Sequence, residues 1–161
     1  MSDFLSNFEK AIKNAKRLSN KILIDGKLIS PSTDNKIKVI NPSTGENIGE
    51  APQCDKHDVD QAVKSSLNAF NKWKKIPARE RGRLVELGAR NLEERKGEIE
   101  TLLSLDTGNA LRTQAKPETA ASIELTRMFA GLSGEIKGEN YPPNIANTLH
   151  YTTRDPIGVV C

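Results

Sequence analysis

Arg154-Asp155-Pro156-Ile157-Gly158-Val159-Val160-Cys161 stands at the end of the 161-residue sequence, and its reading decides the fold. Asp155-Pro156 stops whatever precedes it, because proline lacks an N–H and biases its neighbour away from the helix. Ile157, Val159 and Val160 then begin a continuous apolar run, the pattern of a strand buried on both faces of a parallel sheet. Such a strand needs hydrogen-bonding neighbours and cover for its side chains. Neither follows, so the expectation is a fragment that ends inside a buried strand.

Working back from that stretch, residues 148–154 alternate, with Leu149 and Tyr151 on one side and His150, Thr152 and Arg154 on the other. They read as a strand, and Tyr141-Pro142-Pro143 before them reads as an extended linker. Four helices are expected ahead of the linker. The first runs from Asp55, with Asp55 or Asp58 as cap and Val59, Ala62, Val63, Phe70 and Trp73 on one face. Pro77 ends it. The second starts near Ala78 and buries Leu84, Leu87 and Leu92. The third carries Ile99, Leu102 and Leu103 and stops near Asp106-Thr107-Gly108. The fourth spans residues 117–132, with Ile123, Leu125, Met128 and Phe129 on its apolar side and Gly131 or Gly134 closing it.

The front half is punctuated differently. Residues 21–24 and 27–29 read as strands around the tight turn Asp25-Gly26. Residues 37–40 and 46–51 are a further pair around Asn41-Pro42-Ser43-Thr44-Gly45, where Pro42 fixes φ and Gly45 permits positive φ. Residues 1–20 are expected to form an amphipathic helix with Phe4, Phe8, Ile12, Ala15 and Leu18 on one face. Its lysines break any continuous apolar stretch, which excludes a secretory signal, and Asp3 and Glu9 count against a transit peptide.

Composition narrows the function classes. Apolar residues make up 36%, aromatics 4% and charged residues 28%, a soluble cytoplasmic profile with a core of Leu, Ile, Val and Ala. The net charge of +3 makes no electrostatic case for nucleic acid. No run is long enough to span a bilayer, so no membrane partner is expected. The two cysteines, Cys54 and Cys161, form neither a disulfide framework nor a metal set.

Individual candidates read as structural. A reactive thiolate needs a cation or a helix N-terminus beside it, whereas Cys54 has Gln53 and Asp55 as neighbours and reads as an inert loop thiol. Cys161 reads as a core residue of the inner strand. His57 and His150 have no ligand-spaced partners. Gly131, Gly134 and Gly138 imitate a phosphate loop but follow a helix instead of a strand, so helix termination is the better reading. The basic cluster Lys72, Lys74, Lys75, Arg79, Arg81 and Arg83 reads as a solvated helical face. Gly82, Gly88 and Gly97 inside helices each cost about 1 kcal/mol relative to Ala.

Six blocks, in order and at similar spacing, make the chain resemble the N-terminal part of the aldehyde dehydrogenase superfamily from residue 22 to 160. They are Asn41-Pro42-Ser43-Thr44-Gly45-Glu46; Asp58-Val59-Asp60 with Ala62-Val63, Ala69-Phe70 and Trp73; Arg81 with Leu84; Asp106-Thr107-Gly108; Phe129-Ala130-Gly131; and residues 154–160. The resemblance implies an α/β fold of small antiparallel strands, a helical layer, and the start of an oligomerisation arm and of a Rossmann-type parallel sheet. It divides the chain into an N-terminal helix (1–20), the front of the cofactor-binding domain (21–147), the start of the arm (148–156) and the first inner strand (157–161). NAD or NADP is implied for the intact enzyme, which oxidises an aldehyde to a carboxylic acid, and a homo-oligomer, dimer or tetramer, is implied for the full-length family. The family's nucleophilic Cys, general-base Glu, oxyanion-stabilising Asn, cofactor Lys and glycine motif all fall downstream, as does its Pro-Trp-Asn segment. No catalytic, cofactor-binding or metal residue is therefore carried over, and this chain alone is expected neither to bind cofactor nor to turn over. The alternative is a stand-alone oligomerisation or interaction module derived from that family.

Overall fold

The computed structural model describes residues 2–160, with side chains from residue 6 onward. Helix α1 (Ser2–Leu18) comes first. Strands β1 (Ile22–Ile24) and β2 (Lys27–Ile29) then pair antiparallel, Leu23 opposite Leu28. Asp25 and Gly26 have φ of 54° and 72°, the pair of positive values that a two-residue turn needs to match strand twist. Strands β3 (Lys36–Ile40) and β4 (Asn47–Pro52) form a second hairpin with an irregularity between Val39 and Ile40.

The turn of that hairpin is built by Asn41. Its side-chain oxygen accepts from the Ser43 amide at 2.9 Å, and its carbonyl accepts from the Gly45 amide at 2.8 Å. Gly45 sits at φ 75°. The two ends are joined by the Asn41 amide donating to the Glu46 carbonyl at 2.9 Å.

Helix α2 (Lys56–Trp73) opens with a reciprocal cap. The Asp55 carboxylate accepts from the Asp58 amide, and the Asp58 carboxylate accepts from the Asp55 amide. Both aspartates expected as alternatives therefore act together. Pro77 separates α2 from α3 (Ala78–Glu94), and α4 (Lys96–Thr107) follows at once. Gly108 ends α4 in the left-handed conformation, its amide donating to the Ser104 carbonyl at 3.0 Å. A π-helical turn, Leu111–Ala115, which no sequence pattern announced, leads into α5 (Lys116–Leu132). The Ala110 carbonyl accepts there from both the Gln114 and the Ala115 amides.

The core lies between α3 and α5. Ala89 is fully buried, Ile123 is 2% exposed and Ala130 is buried. Gly82 allows this approach, since a Cβ there would stand 2.5 Å from the Ala130 carbonyl oxygen. Arg127 of α5 ties the pair together, reaching Glu93 of α3 at 2.7 Å and Glu124 at 2.9 Å. Leu84 is half-buried as expected, whereas Leu87 and Leu92 are less covered, at 40% and 39% exposed.

The tail departs from the sequence reading. Asn140–Tyr141 (β5) pairs antiparallel with His150–Tyr151 (β6), so the expected linker begins inside a strand and the expected strand over 148–154 shrinks to two residues. Pro142 and Pro143 lack the N–H needed to extend the ladder. Residues 157–160 carry no strand, and Ile157 is 97% exposed. The sheets among the described residues are three separate two-stranded hairpins, and none offers a parallel edge to this apolar run. Residue 161 lies outside the described residues.

Candidate functional site

The chemistry-bearing side chains are scattered. Cys54 is an exposed free thiol in the segment before α2. His57 is exposed on the first turn of α2, its Nε2 2.7 Å from the Gln61 amide nitrogen, and His150 is exposed on β6. No group of three or more His, Cys, Asp or Glu side chains with metal-binding proximity occurs among the described residues.

The three glycines do not converge on a phosphate cradle. Gly131 and Gly134 line a polar cleft of about 500 Å³ between α3 and the end of α5, with Arg79, Arg83 and Arg127. The end of α5 presents carbonyl groups, the wrong polarity for a dinucleotide pyrophosphate, which binds at helix N-termini. Gly138 instead sits directly on the Thr152 carbonyl and lets the β5–β6 hairpin close, the Thr152 amide donating to the Glu139 carbonyl at 2.8 Å. The residues present do not fit an NAD(P) site.

Half of the basic cluster is tied locally. Arg83 grips Glu80 through Nη2 at 2.7 Å and Nε at 2.9 Å. That hydrogen bonding lowers the Glu80 pKa and raises that of Arg83. Arg81 donates to the Ile76 carbonyl, and the Lys74 ammonium lies 5.1 Å from the centre of the Phe70 ring.

What the structure does assemble are scaffold sites that the sequence reading missed. Asp58 is buried and joins α2 to the loop after β2. Its oxygens accept from the Ser32 amide at 3.0 Å and from the Ser32 hydroxyl at 3.0 Å. Hydrogen bonding from Ser32 and from the Asp58 amide holds the Asp55 carboxyl below its ordinary value. Glu98 of α4, 8% exposed, accepts from Arg95 at 2.7 Å and from Asn14 of α1 at 2.8 Å. Arg95 is the main cause of its lowered pKa, with burial opposing. The blocks Asn41-Pro42-Ser43-Thr44-Gly45 and Asp106-Thr107-Gly108 also meet: a Cβ on Gly108 would lie 2.8 Å from Pro42 Cγ. Gly108 at a helix end was the only sequence signal for that corner.

Two apolar clefts lie elsewhere on the surface. One, of about 540 Å³, is walled by Ala15 and Leu18 of α1, Ile48 of β4 and Ile99, Leu102 and Leu103 of α4. The other, about 550 Å³, lies along Phe70, Trp73 and Ile76, with Gly158, Val159 and Val160 against it. The same face of α2 carries Val59, Val63 and Leu67, 54%, 43% and 48% exposed.

The sequence pattern of the aldehyde dehydrogenase family matches residues 29–161. The chain belongs to the aldehyde dehydrogenase family. Aldehyde dehydrogenase tropH of Talaromyces stipitatus is 36% identical over 151 residues, covering 92% of this chain and 29% of that protein. An aldehyde dehydrogenase of Enchytraeus buchholzi is 32% identical over 152 residues, covering 92% of this chain and 30% of that protein. The structure of betaine aldehyde dehydrogenase from Staphylococcus aureus, solved in complex with NAD+, superposes with a TM-score of 0.81 at 27% identity, over 89% of this chain and 29% of that one. The chain thus spans about 30% of the length of the curated aldehyde dehydrogenases it matches. Its fold is that of the family's N-terminal portion: small antiparallel strand pairs followed by a helical layer. No helix among the described residues is long and apolar enough to cross a membrane.

Proposed function

We propose that this chain is the N-terminal part of an NAD(P)+-dependent aldehyde dehydrogenase that oxidises an aldehyde to a carboxylic acid, and that it supplies scaffold and no catalytic residue. The observation that carries this reading is the family match over residues 29–161, which amounts to about 30% of the length of its relatives. In the proposed division, residues 21–147 are the front of the cofactor-binding domain and residues 1–20 its leading helix. Residues 148–156 begin the oligomerisation arm of a cytoplasmic homo-oligomer, and residues 157–161 are the first strand of the inner sheet.

Aldehyde oxidation needs a thiolate nucleophile, donors for the developing oxyanion and a base for the hydrolytic step, held together in a dry cleft. The nicotinamide cofactor, when bound to the whole enzyme, supplies the hydride acceptor. An exposed Cys54 flanked by Asp55 meets none of these needs. The part of this chain is instead to present its apolar faces on α2 and α5, where Leu125, Met128 and Phe129 are exposed, to the remainder of the protein. The test is a cofactor-reduction assay of the purified 161-residue chain with NAD+ and NADP+ over aliphatic and aromatic aldehydes. No reduced cofactor above background is expected, and turnover would overturn the assignment of a purely scaffolding role.

A further inference from the structure

Charge is spread unevenly along the sequence. Residues 22–161 hold equal numbers of basic and acidic residues and are formally neutral. Residues 1–9 carry only the acids Asp3 and Glu9, whereas residues 10–21 hold Lys10, Lys13, Lys16, Arg17 and Lys21 and no acid. The whole net charge of +3 therefore originates before residue 22. On α1, Lys10, Lys13, Lys16 and Arg17 are spaced i, i+3, i+6 and i+7, and all four are exposed. That spacing places them in one stripe, about 10 Å long at 1.5 Å of rise per residue.

Elsewhere the surface cations are neutralised by neighbours. Lys56 meets Asp60, Arg83 meets Glu80, Arg90 meets Glu86, Arg95 meets Glu98 and Arg127 meets Glu93. Among the described residues, none of Lys10, Lys13 and Lys16 makes an ion pair, and Glu9 bridges none of them. Arg17 Nε donates to Asn14 Oδ1 at 3.5 Å, and Lys21 Nζ to the Ser30 hydroxyl at 3.0 Å. The helix dipole accounts for cations in the last turn, Lys16 and Arg17, but not for Lys10 and Lys13. The opposite side of α1 is committed to the body. Ala11 is buried, Asn14 donates to the Glu98 carboxylate of α4 at 2.8 Å, and Ala15 and Leu18 wall the cleft shared with β4 and α4. The stripe is thus held at a fixed pitch on a folded platform.

We propose that this stripe is a docking surface for an acidic protein helix. Carboxylates recurring every three or four residues on such a helix have the same rise as Lys10, Lys13 and Lys16–Arg17. Complementary charge at a surface of this kind steers association and selects the partner. A lipid surface fits less well, because Ala11 and Ala15 are turned to the body and do not enter a bilayer. Nucleic acid fits less well too, since residues 10–21 contain no aromatic side chain for stacking and the rest of the chain is neutral.

The experiment is fluorescence anisotropy of a labelled helical peptide of alanine and glutamate, with glutamate at every third or fourth position, titrated with the 161-residue chain. Its glutamine counterpart, an RNA oligonucleotide and vesicles containing anionic lipid are run beside it. Binding of the acidic peptide is expected to weaken at least about tenfold between about 0.02 M and about 0.2 M salt, as the charges are screened. The double variant Lys13→Glu with Lys16→Glu is expected to lose at least about tenfold in affinity at low salt. Lys72→Glu with Lys75→Glu lowers the net charge equally at the end of α2, and is expected to change affinity less than about twofold. Circular dichroism confirms that both double variants keep their helices, and Lys13→Gln with Lys16→Gln is expected to give an intermediate loss. Absence of binding at low salt, equal binding of the glutamine peptide, equal loss in the two double variants, or tighter binding of RNA or vesicles than of the acidic peptide overturns the proposal.

Discussion

Helices α2 and α5 have apolar faces of similar quality in sequence, yet one is mostly open and the other is half covered. On α5, Ala130 lies against Gly82 of α3, and Ile123 is buried near Leu92 of α3 and Ile99 and Leu103 of α4. On α2, Val59, Val63, Leu67 and Trp73 point outward, and the neighbours at its C-terminal end are residues 158–160. Periodicity declares that a face is apolar; small residues on a partner declare that it is covered. In the proposed reading, the open face of α2 is where the remainder of the enzyme would pack.

That contrast can be broken by substitution. Ile123→Ala should cost about 3 kcal/mol in urea unfolding followed by far-ultraviolet circular dichroism, since it removes a fully enclosed side chain. A cost near that of a surface change would mean that the α3–α5 core is not the centre of stability. Gly82→Ala sets a gain in helix propensity against a clash with the Ala130 backbone, which cannot swing aside as a side chain can. The clash should win, leaving a net loss of about 1 to 2 kcal/mol. Gly88→Ala is the matched control, because nothing lies within 4 Å of a Cβ there. It should raise stability by about 0.5 to 1 kcal/mol, and the same sign for both glycines would refute the packing argument.

The acid limb of stability sharpens the picture on the α1 side. Hydrogen bonding from Arg95 and Asn14 depresses the Glu98 pKa below its ordinary 4.5. A depressed carboxylate contributes stability that is complete above pH 4.5 and is lost as the pH falls through its folded-state value. Urea midpoints measured from pH 7 downward should therefore decline in acid, and Glu98→Gln should make that decline shallower. An unchanged pH profile in the variant would remove Glu98 from the account. The smallest effect belongs to the open face: Leu67→Gln should shift stability by no more than about 0.5 kcal/mol. A loss of several times that would show α2 to be covered already.

Much of this was legible in the sequence, for reasons that particular residues make plain. Asp25-Gly26 forces a two-residue hairpin, Pro77 separates two helices, and Gly108 stops a third, each by local chemistry. The six family blocks were legible too, though not that two of them, around Pro42 and Gly108, would pack together. Four features escaped. The π-helical turn at residues 111–115 arises from one carbonyl shared by two amides, which leaves no compositional trace. The Ser32–Asp58 and Asn14–Glu98 links join residues 26 and 84 apart in sequence. Burial of Leu87 and Leu92 was expected from spacing alone, but spacing does not say which apolar face has a partner. Residues 157–160 look like a buried strand and take no strand conformation, because a strand is defined by a neighbour as much as by its own side chains. The absence of any expected catalytic position came from the family resemblance, not from the residues themselves.

If this chain is scaffold, the apolar faces of α2 and α5 are made to meet the remainder of an aldehyde dehydrogenase. The most direct measurement is complementation: the 161-residue chain is co-expressed with a tagged relative that lacks the matching segment, and the purified material is assayed for aldehyde-dependent reduction of NAD+. Neither part is expected to be active alone, and the two are expected to co-purify and reduce cofactor together. Activity of this chain alone, or failure of the folded parts to associate, would contradict it.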